Sequence, residues 1–260
     1  SPFFLIGLLV KLLPVGSRVA LKSGINVVKK LDYQRQEVFL SVDSEVEYRL
    51  RLHSCEKEPE TVEWIETFLT DGDVLYDVGA NVGAYSLLAA KIFDGKVQVY
   101  AFEPAFPNFG QLCKNLVLNG CQTSVVPLPI ALSDRTGIGR FNYRTLVAGG
   151  AVHALGEAMD GAGQAFTPVA TQPVLSFRMD DLIKQFRLPM PNHIKVDVDG
   201  TEFSVLMGMS QTLSSGTVRS MMVELNEGRG SADQVKGFLA EKGFEIHSKH
   251  GANHVFVRRP

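Results

Sequence analysis

The segment Val74-Leu75-Tyr76-Asp77-Val78-Gly79-Ala80-Asn81-Val82-Gly83 constrains the fold of this chain more than any other. Its short apolar run is the pattern of a strand buried on both faces. Gly79 permits a tight turn, and the periodic stretch Tyr85 to Phe93 predicts a helix that begins almost at once. A strand feeding a helix through a glycine turn is the unit of a parallel sheet covered by helices. In such sheets ligands bind at the carboxyl ends of the strands, where a helix N-terminus offers free N–H groups to an anion.

The alternation continues downstream. Lys96 to Phe102, Ser124 to Leu128, Val174 to Arg178, His193 to Val198 and Val218 to Leu225 read as strands. Phe109 to Leu118, closed by Asn119-Gly120, Glu202 to Met209 and Ala232 to Lys242 read as helices, and Asp180-Asp181 starts a short one. Phe244 to Ser248 and His254 to Val257 form a closing antiparallel pair. The pattern predicts an α/β, Rossmann-like fold. Residues 137–172, with Gly149-Gly150, Gly161 and Gly163, break the rhythm and read as an inserted hairpin or a loop over the site. Upstream, Glu37 to Val42 and Glu45 to Leu52 alternate across Asp43-Ser44, which predicts a β-hairpin. Glu60 to Leu69, after Pro59, reads as an amphipathic helix with Trp64 in the core.

A length of 260 residues, 45% hydrophobic and 21% charged, suits one large domain with a small N-terminal extension. A net charge of −2 lacks the basic excess expected of a general binder of nucleic-acid backbones. Cys55, Cys113 and Cys121 have no metal-ligand spacing and read as reduced thiols of a cytoplasmic protein. Phe3 to Leu13 is apolar all round but shorter than the roughly 20 residues that span a bilayer. It reads as a docked helix, or as a membrane-surface or oligomer contact.

The chemistry concentrates around the first turn. A dinucleotide fingerprint has Gly where Asn81 stands, so the turn suits a smaller cofactor better than a pyrophosphate. About 20 residues on, a carboxylate at the end of the second strand is expected to take ribose hydroxyls, and Glu103 stands there before Pro104. Period-2 alternation puts Lys195, Asp197 and Asp199 on one face of an interior strand. Such a set is costly unless paired or at a ligand site, and Lys195 could simply neutralise Asp197. Glu224 and Asn226 with Asp197 make an oxygen set that a hard cation could accept, but solvated loop groups are the simpler reading, so no metal site is assigned.

These segments resemble the FkbM family of methyltransferases. The likeness is carried by Lys57 to Ile65, Asp77 to Gly83, Ala101-Phe102-Glu103-Pro104, Ala131-Leu132-Ser133-Asp134 and Ile194 to Gly200 followed by Glu202, in the family's order. Asp199 stands where Glu is commoner. The resemblance divides the chain into an extension at 1–56 and a methyltransferase domain at 57–260. It implies a class I methyltransferase fold, a mostly parallel seven-stranded sheet whose last strand is antiparallel. It implies S-adenosylmethionine as cofactor and O-methylation of a hydroxyl on a sugar, glycan or secondary metabolite. Asp77, Gly79, Ala80, Asn81 and Gly83 would hold the methionine end, and Glu103 and Pro104 the ribose. Phe102 with Ala105 or Phe106 would flank the adenine, and Ser133 and Asp134 would reach its amino group. Asp197 would lie beside the transferred methyl and orient the acceptor hydroxyl or take its proton, with His153 as another base. The rivals are a nicotinamide-dependent oxidoreductase and a cofactor-binding module without catalysis.

Overall fold

The computed structural model of the chain describes residues 8–226 and 230–259. Seven strands form the central sheet: β3 (Val74–Val78), β4 (Gln98–Phe102), β5 (Val125–Leu128), β10 (His193–Val196), β11 (Ser220–Glu224), β12 (Phe244–His250) and β13 (Asn253–Arg258). Their order is β12-β13-β11-β10-β3-β4-β5, and only β13 runs antiparallel to its neighbours. The doubly wound sheet with an antiparallel last strand is therefore present as expected. The chain reverses direction of travel across the sheet between β3 and β10, and that switch point opens a crevice at the carboxyl ends.

Apolar clusters cover both faces. On one, Leu75, Val99 and Val125 pack with Trp64, Ile65, Leu87, Leu88 and Leu112 from three helices, Pro59–Phe68, Ala84–Ile92 and Phe106–Asn119. On the other, Tyr76, Ile194, Val196, Met221 and Val223 pack with residues of the helices Met179–Phe186, Glu202–Gly208 and Gly230–Glu241. Trp64 is buried, donates to Ser220 Oγ at 2.9 Å, and stands edge-on to the buried His193.

The N-terminal part differs from the sequence expectation. β1 (Val28–Lys30) pairs antiparallel with β2 (Phe39–Ser41), whereas Glu45–Arg49 is helical and joins no strand. The deciding contact is a capping box. Ser44 Oγ accepts from Glu47 N at 3.0 Å, and Glu47 Oε2 accepts from Asp43 N at 2.8 Å. Leu31, Tyr33, Val38, Leu40 and Leu52 share the core cluster of the first face, so this part is continuous with the body. Of the predicted apolar helix, residues 3–7 lie outside the described residues. Residues 8–12 are helical, and a second helix follows at Val15–Gly24.

Past β5 the chain builds a second, smaller sheet from β6 (Ala131–Leu132), β7 (Gly137–Tyr143), β8 (Ala154–Leu155) and β9 (Ala170–Phe177), ordered β6-β9-β7-β8. It stands over the carboxyl ends of the main strands, and its loops wall the crevice.

Candidate functional site

At the switch point lies a cleft of about 230 Å³, bordered by a smaller recess of about 30 Å³ beneath the glycine turn. Glu103 ends β4 and is buried against the turn. Its two carboxylate oxygens accept from Asn81 N and Ala105 N, each at 2.8 Å. Burial pushes the carboxyl up to about 7, although both N–H groups oppose the shift. Because the folded value lies above the ordinary carboxylate range, this group favours the folded state at low pH. That contribution is lost as pH rises through about 7. Glu103→Gln is therefore expected to abolish the part of the wild-type stability loss that falls between pH 5 and 7, read by thermal melts across that window.

Gly79 and Asn81 line the cleft, but geometry gives each a structural duty. Gly79 has φ +86°, and a Cβ there would stand 1.8 Å from the Asp197 carbonyl oxygen. Asn81 has φ +50° and spends its side chain on Val82 N at 3.0 Å and on the Gly150 carbonyl at 2.9 Å. Ala80 faces the smaller recess. Gly83 stands outside both cavities, where a Cβ would meet Leu112 Cδ1 at 2.4 Å. Asp77 is buried below the turn; Ser86 Oγ donates to its Oδ2 at 2.5 Å, and its Oδ1 has no partner.

Asp197 follows β10 and sits beside Glu224, since Val196 and Val223 are register partners. Lys195 Nζ, itself buried, lies 2.8 Å from Asp197 Oδ2 and 5.1 Å above the Tyr85 ring. Burial alone would raise Asp197, but Lys195 holds it well below the usual carboxylate range. Glu224 is pushed up, first by the charge of the neighbouring Asp197 and then by burial. The predicted oxygen trio is thus organised around an ammonium: Lys195 supplies the positive charge beside Asp197. Asn226 turns away to Gly161 O at 3.4 Å.

His153 lines the cleft from the second sheet. Burial, then the Arg51 charge, lowers its imidazole to about 4, so it is neutral at pH 7. Its Nδ1 accepts from Arg144 N at 3.3 Å, which leaves Nε2 as the protonated nitrogen. In that tautomer Nε2 is a donor toward the cleft and the Nδ1 lone pair is engaged by Arg144 N. Ser133 and Asp134 stand outside the cleft lining. Ser133 N donates to Phe177 O at 2.9 Å, which carries the chain toward β9, and the wall is made by Ile130, Ala131 and Leu132 with Phe102. Phe106 is half exposed and packs on Tyr143; like Ala105 it is absent from the wall.

Two residues that sequence reasoning passed over complete the site. Arg51 borders both cavities and donates from Nε and Nη2 to Gly149 O at 2.9 and 2.8 Å. Asn108 holds the same loop, accepting from Gly149 N at 2.9 Å and donating to Gly150 O at 3.0 Å. Arg51 carries no motif signal; Asn108 sits one turn into a helix whose N-terminus faces the cleft, a position that could have been inspected.

The family model described as Methyltransferase FkbM domain matches residues 77–246, more than half of the chain. The chain belongs to the FkbM methyltransferase family. As a member it is an S-adenosylmethionine-dependent methyltransferase, which sets aside the nicotinamide reading. This FkbM-family chain is 28% identical over 191 residues to the hexuronic acid methyltransferase AglP of Haloferax volcanii, covering 74% of this chain and 72% of that one. It is 28% identical over 200 residues to the 31-O-demethyl-FK506 methyltransferase FkbM of Streptomyces tacrolimicus, covering 68% and 75%. The crystal structure of methyltransferase FkbM from Methylobacillus flagellatus shares the fold, with a TM-score of 0.52 at 16% identity. That match covers 73% of this chain and 44% of the longer one. Among the described residues of the FkbM-family chain, no helix is long and apolar enough to cross a membrane.

Proposed function

We propose that this enzyme methylates a hydroxyl of a small molecule or sugar, with the cofactor in the cleft and the acceptor over Asp197 and Glu224. The carrying observation is one cleft that joins a buried carboxylate, an apolar slot and a carboxyl pair fixed by a buried ammonium. The cleft suits the cofactor part by part. Glu103 would accept from the ribose hydroxyls, and Phe102, Ile130 and Leu132 would enclose the adenine. Arg51, between cleft and recess, would face the methionine carboxylate, and the unpartnered Oδ1 of Asp77 marks a buried acceptor under the same turn. S-adenosylmethionine supplies an activated methyl on a sulfonium. Relatives that act on a hexuronic acid and on a demethylated FK506 support a hydroxylated acceptor.

The chain's residues then have definable tasks. Asp197, kept ionised by Lys195, orients the acceptor hydroxyl, and the Asp197–Glu224 pair takes the proton as the oxygen gains its methyl. His153 Nε2–H donates to a second oxygen of the acceptor. The walls exclude water and hold the reacting atoms in line. Residues from 28 onward form one working unit, because Arg51 reaches the cleft from the extension.

Since Glu224 is pushed up, its ionised form grows as pH rises above neutrality, and turnover should climb with pH over that range. Glu224→Gln is expected to flatten the climb and to lower turnover about 100-fold, with homocysteine-product binding intact. A pH–rate profile of both proteins checks this. The acceptor class is tested by incubating the enzyme with labelled cofactor and a panel of uronic acids, neutral sugars and hydroxylated macrocycles. Label on an acceptor oxygen supports the reading; label only on nitrogen or carbon acceptors removes it.

A further inference from the structure

The segment from residue 8 to residue 27 is the part of the described chain that packs least. No residue of the helix Val15–Gly24 is buried. Leu8, Leu9, Leu12, Leu13, Val15, Val19, Leu21, Ile25 and Val27 are all exposed, nine large apolar side chains in a single run. The other exposed large apolar residues are scattered over the rest of the chain, where single cases need no explanation. A ten-residue helix with glycine near both ends is marginal in water without a surface to pack on. The docked helix expected over Phe3 to Leu13 lies partly outside the described residues, but its described members Leu8, Leu9, Leu12 and Leu13 are exposed, as is the helix that follows.

Charge indicates what covers it. Residues 1–31 hold Lys11, Arg18, Lys22, Lys29 and Lys30 and no Asp or Glu. The remainder of the chain has 21 basic against 28 acidic residues, so the whole positive excess sits on the apolar arm. A second copy of the arm would meet like charge, and desolvating those cations against each other is unfavourable. A surface that is apolar in depth and negative at its face satisfies both properties, and long basic side chains can bury their stems while their heads stay at the interface. Pro14 and the cations at 11, 18 and 22 suit a segment lying in the interface plane.

We infer that residues 8–27, with Lys29 and Lys30 of β1 at their junction to the body, form an interfacial arm that docks on a membrane surface rich in anionic lipid, holding the catalytic domain beside it. Docking leaves the crevice free, because no residue of the arm lines it. The consequence is that acceptors at or near a lipid surface are favoured by proximity over dilute soluble ones.

The test is vesicle co-sedimentation of the full chain. Vesicles of phosphatidylcholine with phosphatidylglycerol should pull the protein down, vesicles of phosphatidylcholine alone should do so far less, and salt of about 0.5 M should weaken the binding. Each basic residue near an anionic surface strengthens binding about fivefold, so Arg18→Glu with Lys22→Glu is expected to weaken it by about 25-fold or more. Leu12→Ser with Val19→Ser should also weaken it, whereas Lys184→Glu, at an exposed position outside the arm, should not. All variants should bind S-adenosylhomocysteine like the wild type, which shows that they are folded. Equal binding to both vesicle types, no binding to either, or indifference to the Arg18 and Lys22 reversals overturns the inference. So does a concentration-dependent dimer in sedimentation that the Leu12 and Val19 changes dissolve.

Discussion

Gly79→Ala is expected to be the most damaging small substitution in the chain, costing about 4 kcal/mol or more and abolishing cofactor binding. Two effects add. The residue has φ +86°, which a side chain adopts only with strain. The added Cβ would also stand 1.8 Å from the carbonyl oxygen of Asp197 and 2.9 Å from its carbonyl carbon, both backbone atoms of the adjacent strand end. Relief would require β3 and β10 to part, breaking the bond from Asp197 N to Val78 O at 3.0 Å and moving the carboxyl pair. Gly72→Ala is the control. It shares a φ of +89° but has nothing within 4 Å, so it should cost only about 1–2 kcal/mol. Urea unfolding of both variants checks the difference, and similar losses would refute the close approach as the cause.

The second large effect is expected from Lys195→Met. The ammonium is buried, and although burial works against its charge, Asp197, Asp77 and Glu58 outweigh that penalty and hold it above an ordinary lysine. Removing it leaves Asp77 and Asp197 without their cation, at a cost of about 3–5 kcal/mol. The pH dependence should reverse. In the wild type Asp197 is depressed, so its stabilisation is present above the ordinary carboxylate range and is lost as pH falls toward about 2. In the variant an unpaired, half-buried Asp197 beside Glu224 titrates above its unfolded value, so stability is gained on acidification. Turnover should fall about 100-fold or more, since the acceptor's partner is no longer held ionised. Adding Asp197→Asn should recover part of the stability and none of the turnover. Unfolding at pH 5 and pH 8 with single-turnover rates separates the two effects.

The strand–turn–helix unit and Glu103 were legible because local pattern and tertiary role agree there. An apolar run, a positive-φ glycine and a carboxylate at the next strand end meet at the same crevice. Residues 45–52 misled because Glu-Val-Glu-Tyr-Arg-Leu-Arg-Leu satisfies period 2. The Ser44-x-x-Glu47 capping box decides for helix through two side-chain bonds that alternation does not register. The family resemblance put Ser133 and Asp134, just past the third strand, at the adenine. The chain instead runs into β6 and turns to β9, so the wall falls on the apolar residues just before them. Arg51 and Asn108 act through the carbonyl and amide of Gly149 and Gly150, and backbone partners a hundred or forty residues away leave no trace in spacing. The same loop carries Val152 at φ +64°, strained for a β-branched residue and held by its N–H on Asp199 Oδ2 at 2.6 Å.

The most direct measurement is calorimetric titration of S-adenosylhomocysteine into the wild type, with Glu103→Ala and Glu103→Gln alongside. The account predicts micromolar binding that tightens as pH rises toward 8, because an ionised Glu103 is the better acceptor for ribose hydroxyls. Both variants should bind far more weakly, and Gln should lose the pH dependence while keeping the fold. A folded wild type that does not bind the ligand, or variants that bind as tightly as it does, would contradict the placement of the cofactor in this cleft.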